Sequence, residues 1–259
     1  MSLLFIIPAV IIATLGSGIS APPVGAQTTP GPSTTQPTPV RNILASAGLP
    51  TVIDVPLHYK LLRVSIPAGQ STSSRGANGF LYQMSGMLAV TTSGNSRTLR
   101  NGDAMFVGRG ESATVKAAGP EPAVFLHFLL FPTADLEKVI QGSPAAVTEL
   151  SRTAAPIPSL KSGPYEFTLT RVTFPPRMPS NAPHYRSGGA LYYVISGAGT
   201  MTVEGKTETK PAGTSLFEPY GMVHQWGNPG DTPLVLLQAN ISPEGVPAVI
   251  VGIPPAGSK

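Results

Sequence analysis

The chain has four histidines, His58, His127, His184 and His224, and no cysteine. Disulfides, thiolate nucleophiles, thiolate metal sites and cysteine-borne lipid anchors are thereby excluded. A metal ion could be held only by imidazole, carboxylate or other oxygen ligands. His127 lies in the apolar run VFLHFLLF, which marks it as a hydrogen-bonded core residue facing an interior. His58 stands outside the patterns described below, so His184 and His224 carry the search. Residues 213–228 read GTSLFEPYGMVHQWGN. A strand can start after Gly213, turn tightly at Pro219 and Gly221, and return with His224 aimed inward. Arg75 and Arg186 are the charged groups of interest, because a guanidinium pairs in bidentate fashion with a carboxylate or phosphate. The alternative for both is a solvated loop arginine beside Gly76 and Gly188-Gly189. Tyr193, Phe217 and Trp226 could wall an apolar pocket or serve as ordinary core.

The elements that would position these residues are given by an internal repeat. Arg63-Val64-Ser65-Ile66-Pro67 matches Arg171-Val172-Thr173-Phe174-Pro175. Gly86 matches Gly197, and Gly102, Gly110 and Pro122 match Gly213, Gly221 and Pro233, at a constant offset of 111 residues. The first block is offset by 108, so three extra residues are expected between Arg171 and Gly197, in the stretch Pro175 to Pro183. Periods this long indicate a duplicated domain rather than a solenoid. Within each copy, short β-rich runs alternate with glycine and proline turns, the pattern of a sandwich or barrel. Ala134 to Gln141 is the one segment expected to be helical, capped by Thr133 and ended by Gly142.

With 28 glycines and 29 prolines in 259 residues, an all-helical fold is excluded. The net charge is +4, but only 12% of residues are charged and no two basic residues are adjacent, so no nucleic-acid partner is expected. Met1 to Ala26 reads as a signal peptide whose apolar run is too short to span a bilayer, and Gln27 onward as a Thr/Pro-rich disordered tether. The expected organisation is signal peptide 1–26, tether 27–45, N-terminal barrel 46–132, helix and linker 133–164, and C-terminal barrel 165–252. The exported chain would be secreted or periplasmic, with no stable membrane span after cleavage. Asn240-Ile241-Ser242 fits the N-glycosylation pattern and is read as chance.

The Gly213 to Asn228 segment resembles the second signature of the cupin superfamily at all five fixed positions: Gly213, Pro219, Gly221, His224 and Asn228. Counting back from Gly197, the family's first signature is met by His184, while Arg186 stands where its second histidine belongs and Ala190 where its glutamate belongs. The first copy resembles the family more weakly, with Ser73, Arg75 and Gly79 at the ligand positions of the first signature and Ala113 in place of the second signature's histidine. The resemblance implies an all-β fold of two tandem jelly-roll barrels, a bicupin, with a degenerate N-terminal cupin. Metal-bearing cupins hold Fe, Mn, Zn or Ni with three histidines and a glutamate. His184 and His224 occupy two of those positions, and Glu218 is the candidate third ligand, with Gln238 and Tyr192 poorer ones. The alternative is that both histidines are hydrogen-bonded pocket residues without a metal.

Two functional readings follow, and neither assigns catalytic residues. The first is a binding module whose C-terminal barrel takes a small polar or anionic molecule through Arg186, Tyr193, Phe217 and Trp226, with the N-terminal barrel as scaffold. The second is a metal-dependent oxygenase, isomerase or lyase using His184, His224 and Glu218, with Arg186 orienting an acid group. A purely structural role, with the barrels in a homodimer or an envelope component, is the third arrangement left open.

Overall fold

A computed structural model describes residues 37–52, 56–75 and 77–255. The signal-peptide reading and the tether up to residue 36 lie outside the described residues. The strands are, in the first copy, β1 (Val40–Val52), β2 (Leu57–Ile66), β3 (Ser71–Arg75), β4 (Asn78–Ser85), β5 (Leu88–Thr91), β6 (Ser96–Leu99), β7 (Ala104–Val107), β8 (Ser112–Ala117) and β9 (Ala123–Pro132). The second copy follows with β10 (Ala146–Arg152), β11 (Gly163–Phe174), β12 (His184–Arg186), β13 (Gly189–Ser196), β14 (Ala198–Val203), β15 (Lys206–Pro211), β16 (Ser215–Glu218), β17 (His224–Gly227), β18 (Leu234–Pro243) and β19 (Val249–Val251). Every strand pairing is antiparallel.

Each barrel is made of two facing sheets. The first has β10-β2-β9-β4-β7 over β3-β8-β5-β6, and the second β1-β11-β18-β13-β16 over β15-β14-β17-β12-β19. The strand orders are equivalent, with β19 as an addition to the second copy. The leading strands are exchanged: β1 precedes the first barrel yet pairs with β11, and β10 precedes the second yet pairs with β2. Both exchanged strands bulge at the same place, at Leu44 and at Leu150, and both leucines pack into the core between the barrels. A second matched pair of bulges, at Met84 and Ile195, turns those side chains to the same core.

That shared core is built from the outward faces of the two five-stranded sheets. Tyr59, Leu61, Phe80 and Phe128 of the first barrel meet Phe167, Leu169, Leu191 and Leu237 of the second, with the Phe80 and Phe167 rings 4.4 Å apart. Alternation along each strand sends the intervening residues into the barrel interiors.

Four expectations are corrected here. The helix at Ala134–Gln141 does not form: only a 3-10 turn at Thr133–Asp135 is present, and Gln141 instead bridges to Ser74 of the first barrel. Ile140 and Gln141 are buried against the first barrel as extended chain. The tether does not extend to residue 45, since β1 starts at Val40 and is a full member of the second barrel's sheet. The linker 133–164 likewise contains β10, which completes the first barrel. The three extra residues divide: the offset is 108 at β2 and β11, 110 at β3 and β12, and 111 at β4 and β13, so two lie in the loop before β12 and one after it.

Candidate functional site

The two barrel interiors differ in chemistry at equivalent positions. Val107, Ala113, Val115, Leu81 and Leu129 fill the first barrel with hydrocarbon, where the second has Glu218, His224, Trp226, Tyr192 and Asn240, all buried. Polar groups leave water at a cost unless they are partnered, so their concentration in one barrel marks the site. The first barrel keeps a smaller buried polar group, His127 with Gln141 and Ser74. His127 has only a 3.5 Å contact from Gln141 to Nδ1, and burial pushes its pKa down to about 3. It faces the interior, as its apolar run suggested.

His184 and His224 are cross-strand partners on β12 and β17, with ring centroids 4.2 Å apart. Each ring is oriented by a local backbone carbonyl: His184 Nδ1 lies 3.0 Å from Ala182 O, and His224 Nδ1 lies 2.8 Å from Met222 O. If Nδ1 donates in each, Nε2 is left as an acceptor. Burial lowers the pKa of His184 to about 4, with His224 and Arg186 adding to the fall against the opposing effects of Ala182 O and Glu218.

Glu218 is fully buried, its side set by alternation on β16: Phe217 turns out to the inter-barrel core while Glu218 turns in. Arg186 Nε donates to its Oε2 at 2.8 Å and Trp226 Nε1 to its Oε1 at 2.9 Å. His224 Nε2 is 3.0 Å from Oε2 but not in hydrogen-bond geometry. Burial alone would raise the carboxyl pKa; the Arg186 charge, with His224 and Trp226, outweighs it and holds Glu218 at about 2. Arg186 is itself 1% exposed. Its Nη2 donates to Tyr192 OH, its guanidinium carbon lies 5.4 Å from that ring's centre, and its Nη1 has no partner. Packing after β12 fixes this placement, because a Cβ on Gly188 would come within 2.1 Å of Ile241 O.

Arg186 is therefore an interior residue and not a solvated loop arginine. Arg75 is the reverse. In the strand registers His184 opposes His224 and Ser74 opposes Ala113, so Ser74 and not Ser73 matches His184. Arg75 consequently falls on the outer face and is exposed, since a slip of one residue exchanges the faces of a strand. Tyr193 and Phe217 are also corrected: both pack against the inter-barrel core, and Tyr192 is the tyrosine that lines the site. Trp226 is interior as expected. Asn240, of the glycosylation pattern, is buried on β18.

Two further site residues carry no motif. Asn181 accepts the Trp226 backbone N–H at 2.9 Å, and Arg41, from the exchanged strand, reaches Gln238 Oε1 at 3.4 Å. These residues, with His184, Arg186 and Tyr192, line a crevice too narrow in this conformation to hold a water molecule. A larger cleft of about 1170 Å³ lies at the end of the barrel, walled by the turn at Pro219–Val223, Val203 and the segment from Val251 to Pro255. Glu204 is the one carboxylate lining it among the described residues.

The donor set does not fit a metal ion of the kind the family resemblance implies. Both oxygens of Glu218 are already engaged by N–H donors, and the Arg186 cation stands beside them. Among the described residues no group of three or more His, Asp or Glu is disposed to hold an ion. Arg186 and Glu218 both point inward and neutralise each other.

Residues 170–240 match the family model described as "Cupin domain". No curated protein sequence matches the chain. Among solved structures, oxalate decarboxylase from Bacillus subtilis is similar with a TM-score of 0.50 at 17% identity, over 80% of this chain and 73% of that one. Salicylate 1,2-dioxygenase from Pseudaminobacter salicylatoxidans aligns with a TM-score of 0.49 at 12% identity, over 71% of this chain and 70% of that one.

Proposed function

We propose that this chain, which has a cupin-type fold of two barrels, one filled largely by hydrocarbon and the other by a buried charge cluster, is a metal-independent small-molecule-binding protein. The C-terminal barrel takes a small polar or anionic molecule and the N-terminal barrel is its scaffold. The observation that carries this reading is Arg186, whose guanidinium lies against Glu218 at 2.8 Å, a fixed cation among the groups that would otherwise face an ion. A divalent ion placed there would meet that charge at short range in a low-dielectric interior. The narrow inner cleft suits an anion better than the large outer one, whose single lining carboxylate would repel it. We further propose that the chain is exported after removal of Met1 to Ala26, so that exported material begins at Gln27 by mass spectrometry.

The second reading is a metal-dependent enzyme, favoured by the convergence of His184 and His224 at 4.2 Å. Elemental analysis of protein purified without chelator or histidine tag separates the two. The binding reading expects substoichiometric Fe, Mn, Zn and Ni that is unchanged in His224→Ala. Stoichiometric metal lost on that substitution establishes the enzyme reading instead.

A further inference from the structure

The strand exchange brings into the second barrel a residue that the second copy does not encode. Arg41 stands opposite Val172 in the β1–β11 register, three residues before the Leu44 bulge. Its counterpart on β10, three residues before the Leu150 bulge, is Val147 opposite Val64. The apolar barrel thus receives valine and the polar barrel arginine at the same position. Arg41 lines the inner cleft with Arg186, and its one polar contact is the long 3.4 Å hydrogen bond to Gln238. Among the described residues it makes no ion pair. Arg186 lines the same cleft with Nη1 buried and unpartnered.

The charges do not balance. Two guanidinium groups face this region against one carboxylate, Glu218, which Arg186 already neutralises. Burial and the Arg186 charge lower the pKa of Arg41, against the opposing effect of Glu218, while leaving it a cation. Unpartnered donors and an uncompensated cation at a confined cleft are together a site for an oxyanion.

We propose that the inner cleft binds a small carboxylate, held between the fork of Arg41 and Nη1 of Arg186, with the Gln238 amide as neighbour. This rests on the reading of the second barrel as a metal-free binding site and names its ligand class. A planar monoanion matches the single uncompensated charge and pairs with a guanidinium through two parallel N–H···O bonds. The cleft is too tight to admit it without movement, and Arg41, an exposed residue on an edge strand, is the side chain placed to swing and close over it. Binding is therefore expected to order Arg41.

Trp226, the sole tryptophan, lines the cleft and reports on it by fluorescence. The full chain is titrated with sodium acetate, with sodium chloride at matched ionic strength, and with inorganic phosphate. Acetate is expected to give a saturable change that chloride does not, with a midpoint at least about tenfold higher in Arg41→Ala, and unchanged in Arg177→Ala, which removes an exposed arginine elsewhere. An unchanged midpoint in Arg41→Ala, or no saturable change in the wild type, overturns the proposal. Tighter saturation by phosphate than by acetate overturns the assignment to a carboxylate. Acetate binding that survives Arg41→Ala but is lost in Arg186→Met defeats the role of Arg41 while leaving the barrel a binding site, whereas the metal-free reading stands or falls on metal content alone.

Discussion

At the residue scale the site is governed by one buried ion pair and the groups that satisfy it. Glu218→Gln keeps the shape of the side chain but leaves Arg186 buried without a counter-ion. Breaking a buried pair on one side typically costs about 3–5 kcal/mol. Urea denaturation should show a loss of this order for Glu218→Gln, and a smaller loss for the double replacement Arg186→Met with Glu218→Gln, which removes the charge as well. Equal losses in the single and double variants would mean that packing, not charge, sets the stability. Acid stability has a separate origin. His127 and His184 are held neutral, with pKa values of about 3 and 4 against 6.5 in an unfolded chain. Between those values the unfolded chain binds more protons, so their contribution is full above pH 6.5 and is lost as the pH falls toward 4 and 3, at about 1.4 kcal/mol per pH unit for each group. Glu218, lowered from 4.5 to about 2, adds a further loss between those two values. Denaturation midpoints measured from pH 7 to pH 4 should therefore decline, and less steeply in His127→Gln; an identical slope in that variant would contradict the neutral burial of His127. Much of this site was legible in the sequence. His184, His224, Glu218 and Trp226 do converge, because a fixed turn at Pro219 and Gly221 and strict alternation leave their strands little freedom. The misplacements of Arg75, Tyr193 and Phe217 are all errors of strand phase, where one residue reverses the face.

At the element scale the fold depends on matched irregularities in the two copies as much as on regular strands. The duplication, its offset and the β character of both halves could be read from glycine and proline positions, since turns leave a chemical mark. Exchange of β1 and β10 could not, because a strand's local sequence does not say which equivalent sheet edge it will join. The helix expected at Ala134–Gln141 failed for a related reason: local capping signals were present, but Gln141 and Ile140 found burial against the first barrel as extended chain. Gly86 and Gly197 test the equivalence of the copies. Both adopt positive φ, +73° and +80°, and an added Cβ would lie 2.4 Å from Pro122 O in one and 2.7 Å from Pro233 O in the other. Gly86→Ala and Gly197→Ala should each destabilise the chain by about 1–3 kcal/mol or more. A neutral result at either position, measured by thermal or urea unfolding, would show that the turn there relaxes freely.

At the scale of the whole molecule the two barrels are bound into one unit by the exchanged strands and by the shared core around Phe80 and Phe167. In this arrangement the first barrel supplies one face of the core that holds the second barrel's sheet, and the chain leading into it carries Arg41 to the other barrel. The central claim is that a resident guanidinium occupies the place of a cation in that second barrel. Cobalt(II) titration followed by visible absorption tests it on the intact chain, comparing wild type with Arg186→His, which removes the fixed charge and adds an imidazole beside His184, His224 and Glu218. The account predicts no cobalt band in the wild type and a saturable one in Arg186→His; a wild-type chain that binds one cobalt ion, and loses it in His224→Ala, would contradict it.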